Sequence, residues 1–453
     1  MKKFDAQELS KFAQHYGFHY DNINPQSLIK EILSEMERGL EGEASTLQMI
    51  PSYITPPAIH SIPPGKTVLA LDAGGTNLRT SLVSFNENGQ AIAQGTTKTP
   101  MPGTTGTLNA EEFFSAIADT CIPLLKSGNK IEGIGFTFSY PMEITQDSDG
   151  ILLGFSKEVD APDVAGKAVG KSLREALAKK GCAYDGPIVL LNDTAATLLS
   201  GLISISPDGE PVRSKNDFNA APGPVIGFIL GTGFNTAYPE ANIPKINFNS
   251  DSTQIVVCET GNFNVSYRGK LDKDFDSATK NPGTYFLEKA TSGAYLGPLS
   301  LHIFKQAIKD KLLVFNKSDE LLAMSHLETR FLNEFTHSPL TAQGPLGSLF
   351  NKDEKDALAA MQYLTSIITE RGALLSAAVL AATIERINHN FEPYSPVRIA
   401  VEGTTYLIYK GMRRSIESYL HTMLYKEKPR PYVVSPVEQA SLFGAAVAAL
   451  SKG

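Results

Sequence analysis

The chain has 453 residues, 42% of them hydrophobic and 20% charged, enough for two domains of ordinary size. Its net charge of −7 argues against a nucleic-acid binder, which gathers Lys and Arg on one face; a polyanionic substrate would have to be held by local amide dipoles and a metal. The cysteines, Cys121, Cys182 and Cys258, are odd in number and far apart, which excludes a disulfide framework and favours a reducing, cytoplasmic setting.

Residues 1–47 predict helices. LIKEILSEMERGL carries apolar residues at helical spacing, with glycine beyond it as a stop. The five prolines of 49–65 predict an extended connector. The N-terminus lacks the apolar core of an export signal, and no apolar run of about 18 residues stands out, so neither a leader nor a membrane span is expected.

KTVLALDAGGTNLRTSLVSF, from Lys66 to Phe85, reads as strand, Gly-Gly turn, strand. In the helical stretch that follows, Asn109 and Glu112 form a capping-box pair. IEGIGFTFSY and PIVLLND predict further strands, the second running into the helix TAATLLSGL. Near Pro224 the pattern repeats: PVIGFILGTGFNTAYPE is again strand, glycine turn, strand, and QIVVCETGNF adds another. Residues 284–391 are largely helical, RIAVEGTTY is a short strand ending at a glycine turn, and SLFGAAVAAL is a small-residue helix near the end. Strands alternating with helices imply an α/β architecture.

Two turns, Asp72-Ala73-Gly74-Gly75-Thr76-Asn77 and Gly231-Thr232-Gly233-Phe234-Asn235-Thr236, occupy equivalent places between strands. They suggest two related halves. Glycines let backbone N–H groups approach a phosphate, and Thr and Asn add donors. The plainer alternative is a pair of tight hairpins with glycine at positive φ. Asp193, where a buried strand meets a helix, can take a proton from a substrate hydroxyl; it could equally be a helix N-cap. AGKAVGKS (165–172) imitates a phosphate-binding loop, but its lead-in KEVDAPDV is polar, so it reads as an ordinary helix entrance.

Taken in order, LDAGGTNLR, FTFSYP, LNDTAATLLSG, FILGTGFNTAYPE, ETGNF, FLEKATSGAYLG and IAVEGTTY resemble the motifs of the hexokinase/glucokinase family. The resemblance implies an α/β, two-domain actin-like (ribonuclease H-like) ATPase fold with an interdomain cleft. It divides the chain into an N-terminal segment (1–61) on the large domain, a small domain (62–195), a large domain (196–431) and a C-terminal segment (432–453) returning to the small domain. It implies transfer of the γ-phosphoryl of ATP, with Mg²⁺, to the 6-hydroxyl of glucose or a related hexose, by a cytoplasmic monomer or homodimer without nucleic-acid or membrane partners.

By that resemblance Asp193 is the catalytic base and Lys157 assists it. Ser139, Ser156, Lys157, Asn192, Asp193, Asn235, Glu259 and Glu288 line the sugar. Asp72, Gly74, Gly75, Thr76, Asn77, Arg79, Thr232, Gly233 and Gly403 hold the nucleotide, and Asp72 reaches Mg²⁺ through water. The chain departs from the pattern at Ser156, where the family has Thr, and at Thr260, where Trp is common. SPVEQASLFGAA (435–446) replaces the C-terminal glycine-rich stretch, leaving the adenine contacts open. A catalytically silent sugar sensor and a filament ATPase are the rival readings. The intact base disfavours the first and the sugar segments disfavour the second.

Overall fold

The computed structural model of the chain describes residues 2–57, 64–87, 90–155, 159–205, 223–341, 344–387, 396–425 and 430–451. In chain order the strands are β1 (Ile50–Pro51), β2 (Thr67–Ala73), β3 (Asn77–Phe85), β4 (Gln90–Pro100), β5 (Ile131–Phe138), β6 (Met142–Ile144), β7 (Gly150–Leu152), β8 (Ile188–Leu191), β9 (Ser204–Ile205), β10 (Val225–Leu230), β11 (Phe234–Ile243), β12 (Phe248–Val257), β13 (Val397–Glu402) and β14 (Tyr432–Pro436).

Two six-stranded sheets hold all but the small β6–β7 hairpin, in the orders β8-β5-β2-β3-β4-β9 and β1-β12-β11-β10-β13-β14. In the first, β2, β3 and β4 form an antiparallel meander, β5 runs parallel to β2, and β8 parallel to β5. In the second, β10, β11 and β12 form the meander, β13 runs parallel to β10, and β14 parallel to β13. The topology is the same twice over, so the repeat glimpsed in the two glycine turns extends through five strands. The strands β2, β8 and β10 are buried on both faces, which is why they read as near-continuous apolar runs.

Each half ends in a helix that lies on the other half's sheet. Helix Asp193–Ser200 follows β8 yet packs on β10, β11 and β13; helix Ala440–Leu450 follows β14 yet packs on β5, β2 and β8. The two helices also pack against each other, and their residues share one apolar cluster with Val189, Val225, Ile255 and Ala400. Small residues set these distances. A Cβ on Gly444 would come 2.0 Å from the Ala196 carbonyl oxygen, one on Gly135 1.9 Å from that of Ala445, and one on Gly227 2.4 Å from that of Thr194.

Sheet pairing departs from the expected division at three points. The boundary after residue 195 falls inside helix Asp193–Ser200, and β9 joins the first sheet through Gln90↔Ser204. At the other end, β14 belongs to the second sheet, so of the segment 432–453 the helix Ala440–Leu450 is the part that returns to the first half. The cause is pairing with strands far away in sequence.

The N-terminal helices Ala6–His15 and Pro25–Glu41 pack on the 33-residue helix Lys355–Ile387. Arg386 at its end donates to Glu240 Oε2 at 2.9 Å and also pairs with Glu37. This helix is long and apolar enough to cross a membrane, a feature the sequence reading passed over. It is a core helix, with 94% of its most apolar stretch buried in the second half.

Candidate active site

The buried strand β8 ends at Leu191, and Asn192 caps the helix that follows, its Oδ1 accepting from the Thr194 N–H at 2.7 Å. Asp193 is therefore the first helical residue and not the cap, and its carboxylate is left to face the cleft between the halves. Its Oδ1 accepts from Thr194 Oγ1 at 3.2 Å. Ser139, at the end of β5, lies in the same wall, as does Asn192. The cleft has a volume of about 520 Å³, within the roughly 300–1,000 Å³ of a pocket that wraps a small ligand.

Across it stand Asn235, Glu259 and Glu288. Asn235 Nδ2 donates to Glu259 Oε1 at 2.9 Å, while its Oδ1 accepts the backbone N–H groups of Thr236 and Thr260 at 2.8 and 3.3 Å. Asn235 thus orients Glu259. Burial, together with the charges of Asp193 and Glu288, pushes the Glu259 carboxyl up to about 7, against the Asn235 hydrogen bond that lowers it. Glu288 is no solvated surface charge: its Oε2 accepts the Phe234 N–H at 3.0 Å. Gly233 and Gly261 make room for it, since a Cβ on either would stand 3.0 or 3.1 Å from that oxygen. Glu259 and Tyr285, which begins the Glu288 helix Phe286–Thr291, both hold left-handed backbone at φ 57° and 54°. Such strain in non-glycine residues gathers at working sites.

In the first turn Asp72 Oδ2 accepts from Arg79 Nη1 at 3.2 Å, its cross-strand partner. The Gly74 N–H donates to the Asn77 carbonyl at 3.0 Å, Asn77 Nδ2 donates to Thr76 Oγ1 at 2.7 Å, and Tyr140 Oη reaches the Gly74 carbonyl at 2.8 Å. In the second turn the Gly231 carbonyl accepts from the Gly293 N–H at 2.7 Å and Thr405 Oγ1 at 2.8 Å. Gly403 backs this turn, where a Cβ would meet Leu230 carbonyl oxygen at 2.3 Å. Among the described residues no glycine of either turn has positive φ. Positive φ is therefore not what calls for glycine in these turns, contrary to the plain-hairpin alternative.

One residue was missed in the sequence. Glu402 ends β13, and its Oε2 lies 3.4 Å from Thr197 Oγ1, one turn beyond Asp193 on the same helix. Burial, then the charges of Asp193 and Asp72, push its carboxyl up to about 7, against Thr197 and Arg79. Its only sequence signal was its place before Gly403 at the carboxyl end of a parallel strand. Asp72, Asp193 and Glu402 concentrate negative charge beside the phosphate turns. No described cluster of acids, histidines or cysteines could enclose a metal by itself. That suits a cation of Mg²⁺ type, which takes one or two carboxylates and completes its shell with phosphate and water.

A second cavity opens on the other side of Thr232, which lines both. His326, Arg330, Asn333, Thr404, Thr405 and Ile408 contribute to its wall. None of these six was singled out in the sequence. Ser156 and Lys157 lie outside the described residues. AGKAVGKS is spent on structure: the Gly170 and Lys171 N–H groups donate to Asp149 at 2.7 and 2.9 Å, at the start of helix Val169–Lys179. A carboxylate already occupies the place a phosphate would take.

Two models, each described as hexokinase, match residues 8–203 and 225–451. Hexokinase-2 of Candida albicans is 27% identical over 94% of this chain and 88% of its own length. Hexokinase-1 of Schizosaccharomyces pombe is 29% identical over 92% and 85%. Among solved structures, the hexokinase from Schistosoma mansoni complexed with glucose is 25% identical, with a TM-score of 0.75 over 99% of this chain and all of that one.

Proposed function

Because the chain belongs to the hexokinase family, we propose that it transfers the γ-phosphoryl of MgATP to the 6-hydroxyl of glucose or a related hexose, with Asp193 as base. Its fold is the two-domain α/β fold of that family, and the reaction class is hexose phosphorylation, whose product feeds glycolysis. The observation that carries the residue assignment is the meeting of Asp193, Asn192 and Ser139 with Glu259 and Glu288 across one cleft.

Glu259 and Glu288 accept hydrogen bonds from hexose hydroxyls, so an analogue lacking one leaves a carboxylate unpaired. Asp193 accepts the proton of the 6-hydroxyl as the new O–P bond forms and the bond to the β-phosphate oxygen breaks. The transition state is loose, so placing the hydroxyl in line matters more than removing its proton early. The amides of Gly75, Thr76, Thr232 and Gly233 bind the phosphates, Thr232 leading from them to the adenine in the cavity of His326 and Asn333. Bound Mg²⁺ would neutralise phosphate charge, with Asp72, paired to Arg79, as the residue that would hold it through water. Closure of the two halves over the hexose excludes water as competing acceptor.

A coupled assay across glucose, mannose, fructose and glucosamine tests the reading. ATP consumption should depend on hexose. Hexose binding without turnover would establish a sensor, and hexose-independent ATP hydrolysis a filament ATPase.

A further inference from the structure

Behind the Glu288 helix lies a further, smaller cavity, distinct from the cleft. Three cations, Arg268, Lys289 and Arg371, and two carboxylates, Asp272 and Asp276, face it, among apolar side chains such as Phe275 and Phe286. Arg371, 2% exposed, gives both terminal nitrogens to Asp272 at 2.8 Å each. Lys289, 4% exposed, donates to Asp276 and to the Asn281 carbonyl. Arg268 stacks over the Phe286 ring, 3.5 Å from its centre, and its Nη1 lies 3.8 Å from Asp276.

Two donors are left over. Arg268 Nε and Arg371 Nε are buried without a partner, and both residues line this cavity. An orphaned buried charged donor is costly. The charges do not cancel either: three cations face two carboxylates, and Arg268, 21% exposed along its side chain, is the one without a carboxylate of its own. The cavity offers about 20 Å³ to the centre of a water-sized particle, where one water needs roughly 10–15 Å³. It therefore takes one small particle, and phosphate or sulfate is too large.

We propose that this cavity is a binding site for a single monovalent anion of chloride size, held by the Nε–H groups of Arg268 and Arg371. A water molecule would satisfy the two donors but leave the third cation without a counter-charge; a halide answers both. The site rests on the charge count and the orphaned donors and is independent of the hexose reading. It adjoins that reading through Lys289, whose neighbour in the same short helix is Glu288.

The test uses the full chain with bromide as probe. Crystals soaked in bromide should show one anomalous peak within hydrogen-bonding distance of both Nε atoms. In solution, chloride should raise the unfolding midpoint by roughly 2–4 °C over methanesulfonate at equal ionic strength. Arg268→Met removes one donor and brings the charge count to zero, so it should abolish both the peak and the chloride increment. If that variant does not fold, Arg268→Lys, which keeps the charge and loses the Nε donor, should lose the peak. A soaked wild-type crystal with no halide at this position, or water alone, overturns the proposal. So does a chloride increment that survives unchanged in the variant.

Discussion

The first half places one helix, Ala110–Leu125, between its third strand and the next strand of the sheet. The second half, built on the same topology, places there residues 258–396, with Glu259, the Glu288 helix and the core helix Lys355–Ile387. Asp193 opens the helix after β8; its counterpart after β14 opens at Gln439-Ala440, with no carboxylate. On the proposed reading, the shared topology gives two phosphate-facing turns and the halves divide the remaining work: the first keeps the base at a strand end, and the second holds recognition in its long insertion.

The sharpest way to break this comparison is at the base. Asp193→Asn should lower turnover by at least ~10²-fold while calorimetry finds hexose affinity nearly unchanged; near-normal turnover would sink the assignment. Next comes recognition. Glu288→Gln should weaken hexose binding by roughly 10–100-fold, the worth of a hydrogen bond to a charged group, with a smaller effect on turnover at saturation. Equal loss in both parameters would mean that the second half also carries chemistry.

A pH series sharpens the same division. Glu259 titrates near 7 in the folded protein, above the ordinary carboxylate value of 4.5. In that window the native chain holds a proton that the unfolded chain has lost, so folding stability contributed by this group declines as pH rises from about 4.5 to about 7. Glu402 acts in the same direction. Hexose hydroxyls donate to the ionised form of Glu259, so hexose affinity should rise roughly tenfold between pH 6 and 8 and be flat in Glu259→Gln. An affinity independent of pH in the intact protein would remove Glu259 from the sugar contacts. The smallest effects concern the nucleotide: Thr232→Val should raise the Michaelis constant for ATP by about fivefold, whereas Lys171→Ala should leave it unchanged. The reverse pattern would move the phosphates to the 165–172 segment.

Local features were legible in the sequence. The capping box of Asn109 and Glu112 formed as read, with reciprocal bonds of 3.0 and 2.9 Å, because its partners lie three residues apart. Both hairpins are equally local, whereas the helix after β8, read from Thr194 with Asp193 as a possible cap, starts one residue earlier, capped by Asn192. What stayed hidden depends on distant pairing. Glu402 gains its neighbours Asp72 and Asp193 once two sheets meet. Thr404 and His326 share a cavity wall although 77 residues lie between them. Arg371 and Asp272 pair across 99 positions. The motif residues Ser139, Asn192, Asp193, Asn235, Glu259 and Glu288 meet in one cleft, and Thr404 and Thr405 of IAVEGTTY line the second cavity, whose His326 and Asn333 no motif indicated.

The exchanged helices make the enzyme vulnerable in places no active-site map would mark. At Gly135, Gly227 and Gly444 a single added methyl collides with backbone, which cannot swing aside as a side chain can. Random mutagenesis scored by growth on hexose should therefore return alanine at these three glycines among its dead clones, alongside changes at Asp193. Such variants would differ from the base mutants in abundance: the joint between halves fails in assembly, and little soluble protein would be left to assay.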